Sequence, residues 1–199
     1  MSAEAPRPLA PGEVERAALT AARAFAWHEP WGAWALPDAA TREARLRELI
    51  AADIRDRFLP LGRASTIGAV SVALWCPPPS DAAAATFGPR RDEDAYAAFG
   101  DRGEALREAD ELLADLIPPG DHWYLATLAT DPERMRQGLG GRLLDHDLAA
   151  LDAMGATAAL DTHTRENVAF YERRGFEVVS SARIPREGPD LYVMVRPAT

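Results

Sequence analysis

A layered α/β (α+β) fold is predicted for this chain of 199 residues, and three observations predict it. Apolar runs of strand length alternate with segments of helical period along most of the chain. A glycine-rich turn joins an apolar strand to a helix at residues 125–144. A second strand-to-helix turn, at 160–176, closes on Gly175-Phe176 and leads into another strand. The length suits one domain over 1–199.

Taken in order, residues 1–6 are expected to be frayed and Arg7–Ala10 to form a short first strand. Glu13–Trp27 carries Val14, Ala18, Ala21 and Phe25 at helical spacing. Pro30 and Gly32 break that helix inside a stretch holding Trp27, Trp31 and Trp34. Thr41–Leu59 repeats the helical period. Ser65–Ile67 and Ala69–Trp75 read as strands meeting near Gly68, and the prolines at 77–79 end the second. Asp81–Gly88 reads as a loop, Asp92–Phe99 as a helix, and Glu104–Ile117 as a longer helix stopped by Pro118-Pro119-Gly120. Trp123–Thr130 is the central strand and Leu139–Met154 the helix after the glycine loop, ended by Gly155. Thr157–Thr162, Phe176–Ala182 and Asp190–Arg196 are the last strands, with a helix over Arg165–Arg174.

Composition bounds the function. The chain is 47% hydrophobic and 27% charged, ordinary for a globular protein. A net charge of −9 argues against a nucleic-acid partner and suits a small cationic one. All of the basic side chains are arginine. Cys76 stands alone, so no internal disulfide is available, and it reads as a buried structural thiol. Neither a signal-peptide pattern nor an apolar run of membrane-spanning length is present, so a cytoplasmic protein without a membrane partner is expected. Monomer and homodimer both remain open, the final strands being able to pair across a dimer.

The glycine loop carries the first chemistry. Glycines let backbone approach a ligand closely, and a helix N-terminus offers unpaired N–H groups with positive partial charge. Together they make a cradle for a diphosphate. No Lys follows the glycines, which excludes the phosphate loop of nucleotide hydrolases, and Leu143 stands where the dinucleotide fingerprint needs its third glycine. The loop Met135-Arg136-Gln137-Gly138-Leu139-Gly140 instead resembles the pyrophosphate loop Q/R-x-x-G-x-G/A of the Gcn5-related N-acetyltransferases (GNAT superfamily), with Met135 in place of Gln or Arg. The stretch from Asn167 to Phe176, with Phe170, Tyr171 and Gly175, resembles that superfamily's second motif, N-x-x-A-x-x-F/L-Y-x-x-x-G-F. The strand Ala73-Leu74-Trp75 with its prolines, Trp123-Tyr124-Leu125-Ala126-Thr127 and Phe170-Tyr171-Glu172-Arg173-Arg174-Gly175-Phe176 look closest to its puromycin N-acetyltransferase branch.

The resemblance implies a central mixed, mostly antiparallel sheet with splayed middle strands flanked by helices, and a coenzyme-binding core at about 121–196. It implies acetyl-CoA as co-substrate and no metal. Pantetheine is expected on the strand edge at Leu128, Ala129 and Thr130, and pyrophosphate on the N–H groups of the loop from Met135, Arg136 and Gln137 through Gly138, Leu139 and Gly140 to Gly141. Arg136 and Arg142 either add charge there or are simply solvated. Asn167 and Tyr171 line the coenzyme. The amine attacks the thioester directly, Leu128 or Ala129 N–H steadies the oxyanion, and Tyr171 protonates the thiolate. Asp161 is the expected base, with His163 as the alternative and His122 a weaker one.

Each assignment has a structural counterpart. Tyr171 between Phe170 and Phe176 also suits a core aromatic, and Asp161 also suits a turn-capping carboxylate. Asp145-His146-Asp147 points three ways on a helix, which disfavours a metal. Trp27, Trp31, Trp34 and His163 are the expected acceptor-site residues, flat rings suiting an aromatic or nucleoside-like small amine such as puromycin, and hence antibiotic resistance. The same tryptophans also suit packing of the helix pair. A protein or metabolite amine as acceptor, a non-catalytic acyl-CoA-binding regulatory module, and a nucleotide-binding protein are the rival readings.

Overall fold

The computed structural model describes residues 4–81 and 93–199. Its strands are β1 (Arg7–Pro8), β2 (Arg63–Ile67), β3 (Ser71–Cys76), β4 (Trp123–Thr130), β5 (Ala158–Thr162), β6 (Glu177–Arg183) and β7 (Asp190–Arg196). Its α-helices are α1 (Val14–His28), α2 (Pro30–Ala35), α3 (Arg42–Asp53), α4 (Glu93–Ala97), α5 (Gly103–Leu116), α6 (Leu139–Asp152) and α7 (Arg165–Glu172). One seven-stranded sheet runs β1-β2-β3-β4-β5-β7-β6. Every neighbouring pair is antiparallel except β4 and β5, which are parallel.

Strand alternation sends β3 side chains to two faces. Ala73 and Trp75 join the core beneath α6 and α7, with Leu143, Leu144, Leu160, Phe176 and Met194. Val72 and Leu74 join a second core with Val14, Ala17, Ile54 and Phe58. A third core packs α2, α3 and α5 around Leu36, Leu46 and Leu106. Ala17, Ala18, Ala21 and Ala22 are fully buried, so α1 lies close on the sheet and on α3.

The sheet opens in the middle. β4 pairs with β3 from Tyr124 to Thr130, with a bulge at Leu74/Trp75. Against β5 it pairs only over Trp123–Leu125. From Ala126 onward β4 therefore presents a free edge, which is the expected splay. Asp131 donates its N–H to Val70 O at 2.8 Å. By the two-residue alternation, Ala129 also faces β3, while Leu128 and Thr130 face the open side.

Several boundaries differ from expectation for physical reasons. Pro30 ends α1 but also starts α2, because its fixed φ suits the first helical position. The second long helix closes through a π-helical turn at Ile54–Phe58. Of the terminus expected to be frayed, residues 1–3 lie outside the described residues, and the Glu4 backbone carbonyl accepts from Arg142 Nη2 at 3.1 Å. The loop expected after Asp81, up to Gly88, and the first residue of the helix expected at Asp92 also lie outside them. Among the described residues no helix is long and apolar enough to cross a membrane.

Candidate active site

The glycine loop first. After β4 the chain turns through a 3₁₀ segment at Pro132–Arg134, capped by the Asp131 carboxylate on Glu133 N–H. Arg136 and Gly138 both take positive φ, 59° and 75°. That geometry turns successive N–H groups to one side. No N–H from Arg136 to Gly141 donates to a described backbone or side-chain acceptor; the first helical bond beyond is Arg142 N to Gly138 O, 3.0 Å. A Cβ on Gly140 would stand 3.2 Å from Thr130 Oγ1, so the loop lies tight against the open end of β4. Met135 packs with Ala21, Ala24 and Ala129, so the non-consensus residue anchors the loop on α1. Leu139 sends its side chain into the core while its N–H joins the cradle. Arg136 and Gln137 are exposed, and Arg142 is held at Glu4.

The second half gathers around β5 and α7. Tyr171 is 8% exposed and stacks edge-on with Phe170 and Phe176, at 5.1 and 5.7 Å between centroids. Its ring is thus core, while its hydroxyl makes no hydrogen bond among the described residues. Burial, then the charges of Glu29 and Asp161, hold its hydroxyl well above the usual tyrosine range. Asp161 accepts from the Tyr124 hydroxyl through Oδ1, and its Oδ2 stands 3.4 Å from His163 Nε2. Burial and the neighbouring Asp161 push Tyr124 far up as well, so it stays a donor. His163 Nδ1 lies 3.0 Å from the Asp190 carbonyl. Thr164 caps α7 through Asn167 N–H, 3.1 Å.

Glu29 completes the group. It precedes Pro30, which pushes it into extended backbone (φ −122°, ψ 122°). As N-cap residue of α2 it makes no side-chain cap. Its Oε2 instead accepts from Asn167 Nδ2 at 3.2 Å, and its Oε1 is buried without a partner among the described residues. Desolvation raises its carboxyl above the ordinary glutamate value; the His163 ring opposes that and Asp161 adds to it. The junction holding Glu29 is braced by buried Arg42, which donates to Ala26 O (3.0 Å), Leu36 O (2.6 Å) and Pro37 O (3.0 Å).

Sequence reasoning named Asp161, His163, Asn167 and Tyr171 and missed Glu29 and Tyr124. Tyr124 sits on the central strand. Glu29 lies inside the tryptophan stretch, where its one signal was a carboxylate before a helix-starting proline. The three tryptophans do not share one surface: Trp27 lies on α1, Trp31 and Trp34 on α2, and each has different neighbours. Trp27 is exposed and donates to Glu43 Oε2 at 3.0 Å. Trp34 is buried and donates to the Arg186 carbonyl at 3.2 Å. Trp31 packs edge-on against Phe25 and Phe99, both at 6.4 Å.

The other candidates fall outside the group. Asp145 pairs with Arg174 (2.7 Å), whereas Asp147 turns into the core to accept from Trp75 Nε1 (2.9 Å) and Ser65. Burial lifts the Cys76 thiol to about 12, so it is not a thiolate at neutral pH. His122, before β4, is lowered by burial.

Residues 102–178 match the family model of the acetyltransferase (GNAT) domain. That segment, under half of the chain, is similar to a GNAT acetyltransferase domain. Its enzyme class is that of the N-acetyltransferases. Solved structures extend the likeness over the whole chain. A Corynebacterium glutamicum protein described as histone acetyltransferase HPA2 and related acetyltransferase is 22% identical, with a TM-score of 0.75, over 99% of this chain and 97% of its own. A mosquito arylalkylamine N-acetyltransferase (like 5b) is 17% identical, TM-score 0.62, over 96% and 98%. PaiA N-acetyltransferase of Thermoplasma acidophilum, solved with coenzyme A, is 14% identical, TM-score 0.58, over 99% of each chain. At these identities the likeness is one of fold. GNAT enzymes bind an acyl-CoA and an acceptor amine.

Proposed function

We propose that the protein is an acetyl-CoA-dependent N-acetyltransferase that acylates a small, cationic primary amine by direct attack. The observation that carries the acceptor class is the unpartnered, buried Glu29 Oε1 beside Asp161 and Tyr171. A buried carboxylate oxygen with no donor is costly, and an ammonium donor entering the site satisfies it.

The roles follow from the partners. Leu128 N–H, on the open side of β4, suits the thioester oxyanion; Ala129 N–H faces β3 and does not. Asp161 Oδ1 is taken by the Tyr124 hydroxyl and Oδ2 faces His163 Nε2 at 3.4 Å, so neither oxygen is as open to an incoming ammonium as Glu29 Oε1. Glu29 keeps an oxygen free and has its basicity raised by burial, which fits it to draw the proton from the ammonium. Tyr171 holds its proton firmly in the empty site. An ammonium beside Glu29 and Asp161 offsets the two negative charges that help hold that proton. Substrate entry therefore makes Tyr171 a better acid for the departing thiolate. Trp31 packs with Phe25 and Phe99 against the core of α2, α3 and α5.

Incubation with acetyl-CoA and an amine panel led by puromycin and arylalkylamines, read by mass spectrometry, tests the reading. Acetylated product that disappears with Tyr171→Phe is the expected result. No product from any amine, with no thermal shift from acetyl-CoA, overturns it.

A further inference from the structure

A groove of about 420 Å³ runs between α6 and the strands β1 and β2, with Leu9, Phe58, Leu59, Arg63 and Asp147 among its lining. It shares no residue with the glycine loop or with the group around Glu29. Leu9 and Phe58 are buried at the edge of the core that holds Val72 and Leu74, so that wall is apolar. Asp147 is 3% exposed, and its Oδ2 accepts from both Trp75 Nε1 (2.9 Å) and Ser65 Oγ. The two donors fix the carboxylate. Its Oδ1 makes no hydrogen bond among the described residues and is not enclosed, so it opens on the groove. Burial raises the carboxyl above the ordinary aspartate value against the pull of those donors, a cost that a bound cation offsets. Strand alternation puts Arg63 on the same face of β2 as Ser65, at the Asp147 end of the groove. The Arg63 guanidinium rests over the Trp123 ring at 5.2 Å and has no hydrogen bond or ion pair among the described residues.

The charges of the groove select its ligand. A plain ammonium suits Asp147 and is repelled by Arg63; a plain carboxylate suits Arg63 and is repelled by Asp147. A molecule carrying both groups meets each with its opposite, and an apolar body on it covers Leu9, Phe58 and Leu59. We propose that this groove is a second ligand site, for a small zwitterion of the apolar α-amino-acid class, with the ammonium on Asp147 Oδ1 and the carboxylate on Arg63. The site is separate from the one that takes the acceptor amine, and its occupancy does not depend on acetyl transfer.

The tryptophans report on the groove. Trp75 donates its indole N–H to Asp147, and Trp123 lies under Arg63, whereas Trp31 and Trp34 sit with α2. The test is nuclear magnetic resonance of the full chain carrying nitrogen-labelled tryptophan, with Trp75→Phe and Trp123→Phe to assign two of the five indole signals. L-leucine is expected to shift the Trp75 and Trp123 signals saturably and to leave those of Trp31 and Trp34 in place. Leucinamide, which lacks the carboxylate, and 4-methylpentanoate, which lacks the ammonium, are each expected to bind about tenfold more weakly or worse. Asp147→Asn keeps an acceptor for Trp75 and Ser65 and removes the charge, and is expected to weaken leucine by a similar factor. A Trp75 signal indifferent to leucine, or equal binding of the three probes, overturns the proposal. So does a folded Asp147→Asn protein that binds leucine as the unaltered chain does; where that variant does not fold, the three probes on the unaltered chain decide. None of these readings uses acetyl-CoA, so an amine panel without product removes the catalytic reading alone.

Discussion

The two halves of the site are built in opposite ways. The proposed coenzyme half is backbone: N–H groups from Arg136 to Gly141 without an acceptor among the described residues, and the β4 edge beyond Leu125, all within one continuous stretch. The proposed acceptor half is side chain: Glu29, Tyr124, Asp161, His163, Asn167 and Tyr171, brought together from the α1–α2 junction, β4, β5 and α7. A backbone cradle constrains few side chains and tolerates Met135 where the motif has Gln or Arg. A side-chain cluster depends on every member and on the packing that delivers it.

That contrast can be broken by substitution. The largest effect is expected from Tyr171→Phe, which keeps the ring in its aromatic stack and removes only the hydroxyl. In the proposed mechanism kcat falls by about 10²–10⁴ while coenzyme affinity, measured by calorimetry, is unchanged. An undiminished rate would move the acid elsewhere. Glu29→Gln comes next, with kcat/KM for the amine lowered by about 10². Its melting temperature is expected to hold or rise, since a buried unpaired charge is removed; a large fall in melting temperature would recast Glu29 as structural.

Gly138→Ala reaches the other half. Its φ of 75° is left-handed, and an L side chain there costs about 1–2 kcal/mol. Coenzyme affinity is expected to drop roughly tenfold at unchanged KM for the amine. The smallest effect belongs to neither half. Asp152, at the end of α6, forms a bidentate pair with Arg196 at 2.7 and 2.8 Å, and its carboxyl is lowered from 3.8 to about 2 by that arginine. A lowered folded value stabilises above the unfolded one and is lost as pH falls from near 4 towards 2. Asp152→Asn is therefore expected to cost about 1 kcal/mol near neutrality, after allowance for its partial exposure, and to flatten acid unfolding over that window without moving kcat.

Legibility in the sequence follows the same division. The strand–loop–helix of the coenzyme half could be read because glycines and apolar periodicity are local signals; β4 over Trp123–Thr130 and the start of α6 at Leu139 fall where spacing put them. The sheet and its open middle were accessible through motif resemblance, since neighbouring strands such as β4 and β5 are far apart in the chain. Tyr171, Asn167, Asp161 and His163 lie within one short segment and were named together. Glu29 meets Asn167 across 138 positions, and no local pattern encodes such a contact. The tryptophans misled for a related reason. Sequence proximity placed them on one surface, while α2 starts at Pro30 and carries Trp34 into the core and leaves Trp27 outside.

The short pairing of β4 with β5 has a mechanical side. Among the described residues, only Trp123, Tyr124 and Leu125 of β4 pair with β5 along that seam, and the outward-facing amides of Leu128 and Thr130 beyond them depend on whatever enters the gap. The seam is thus a built-in gauge of occupancy. Hydrogen exchange at Leu128 and Thr130 should be fast in the empty protein and slow once acetyl-CoA supplies the missing strand, while the amides of Ala129 and Asp131, already facing β3, keep one rate throughout.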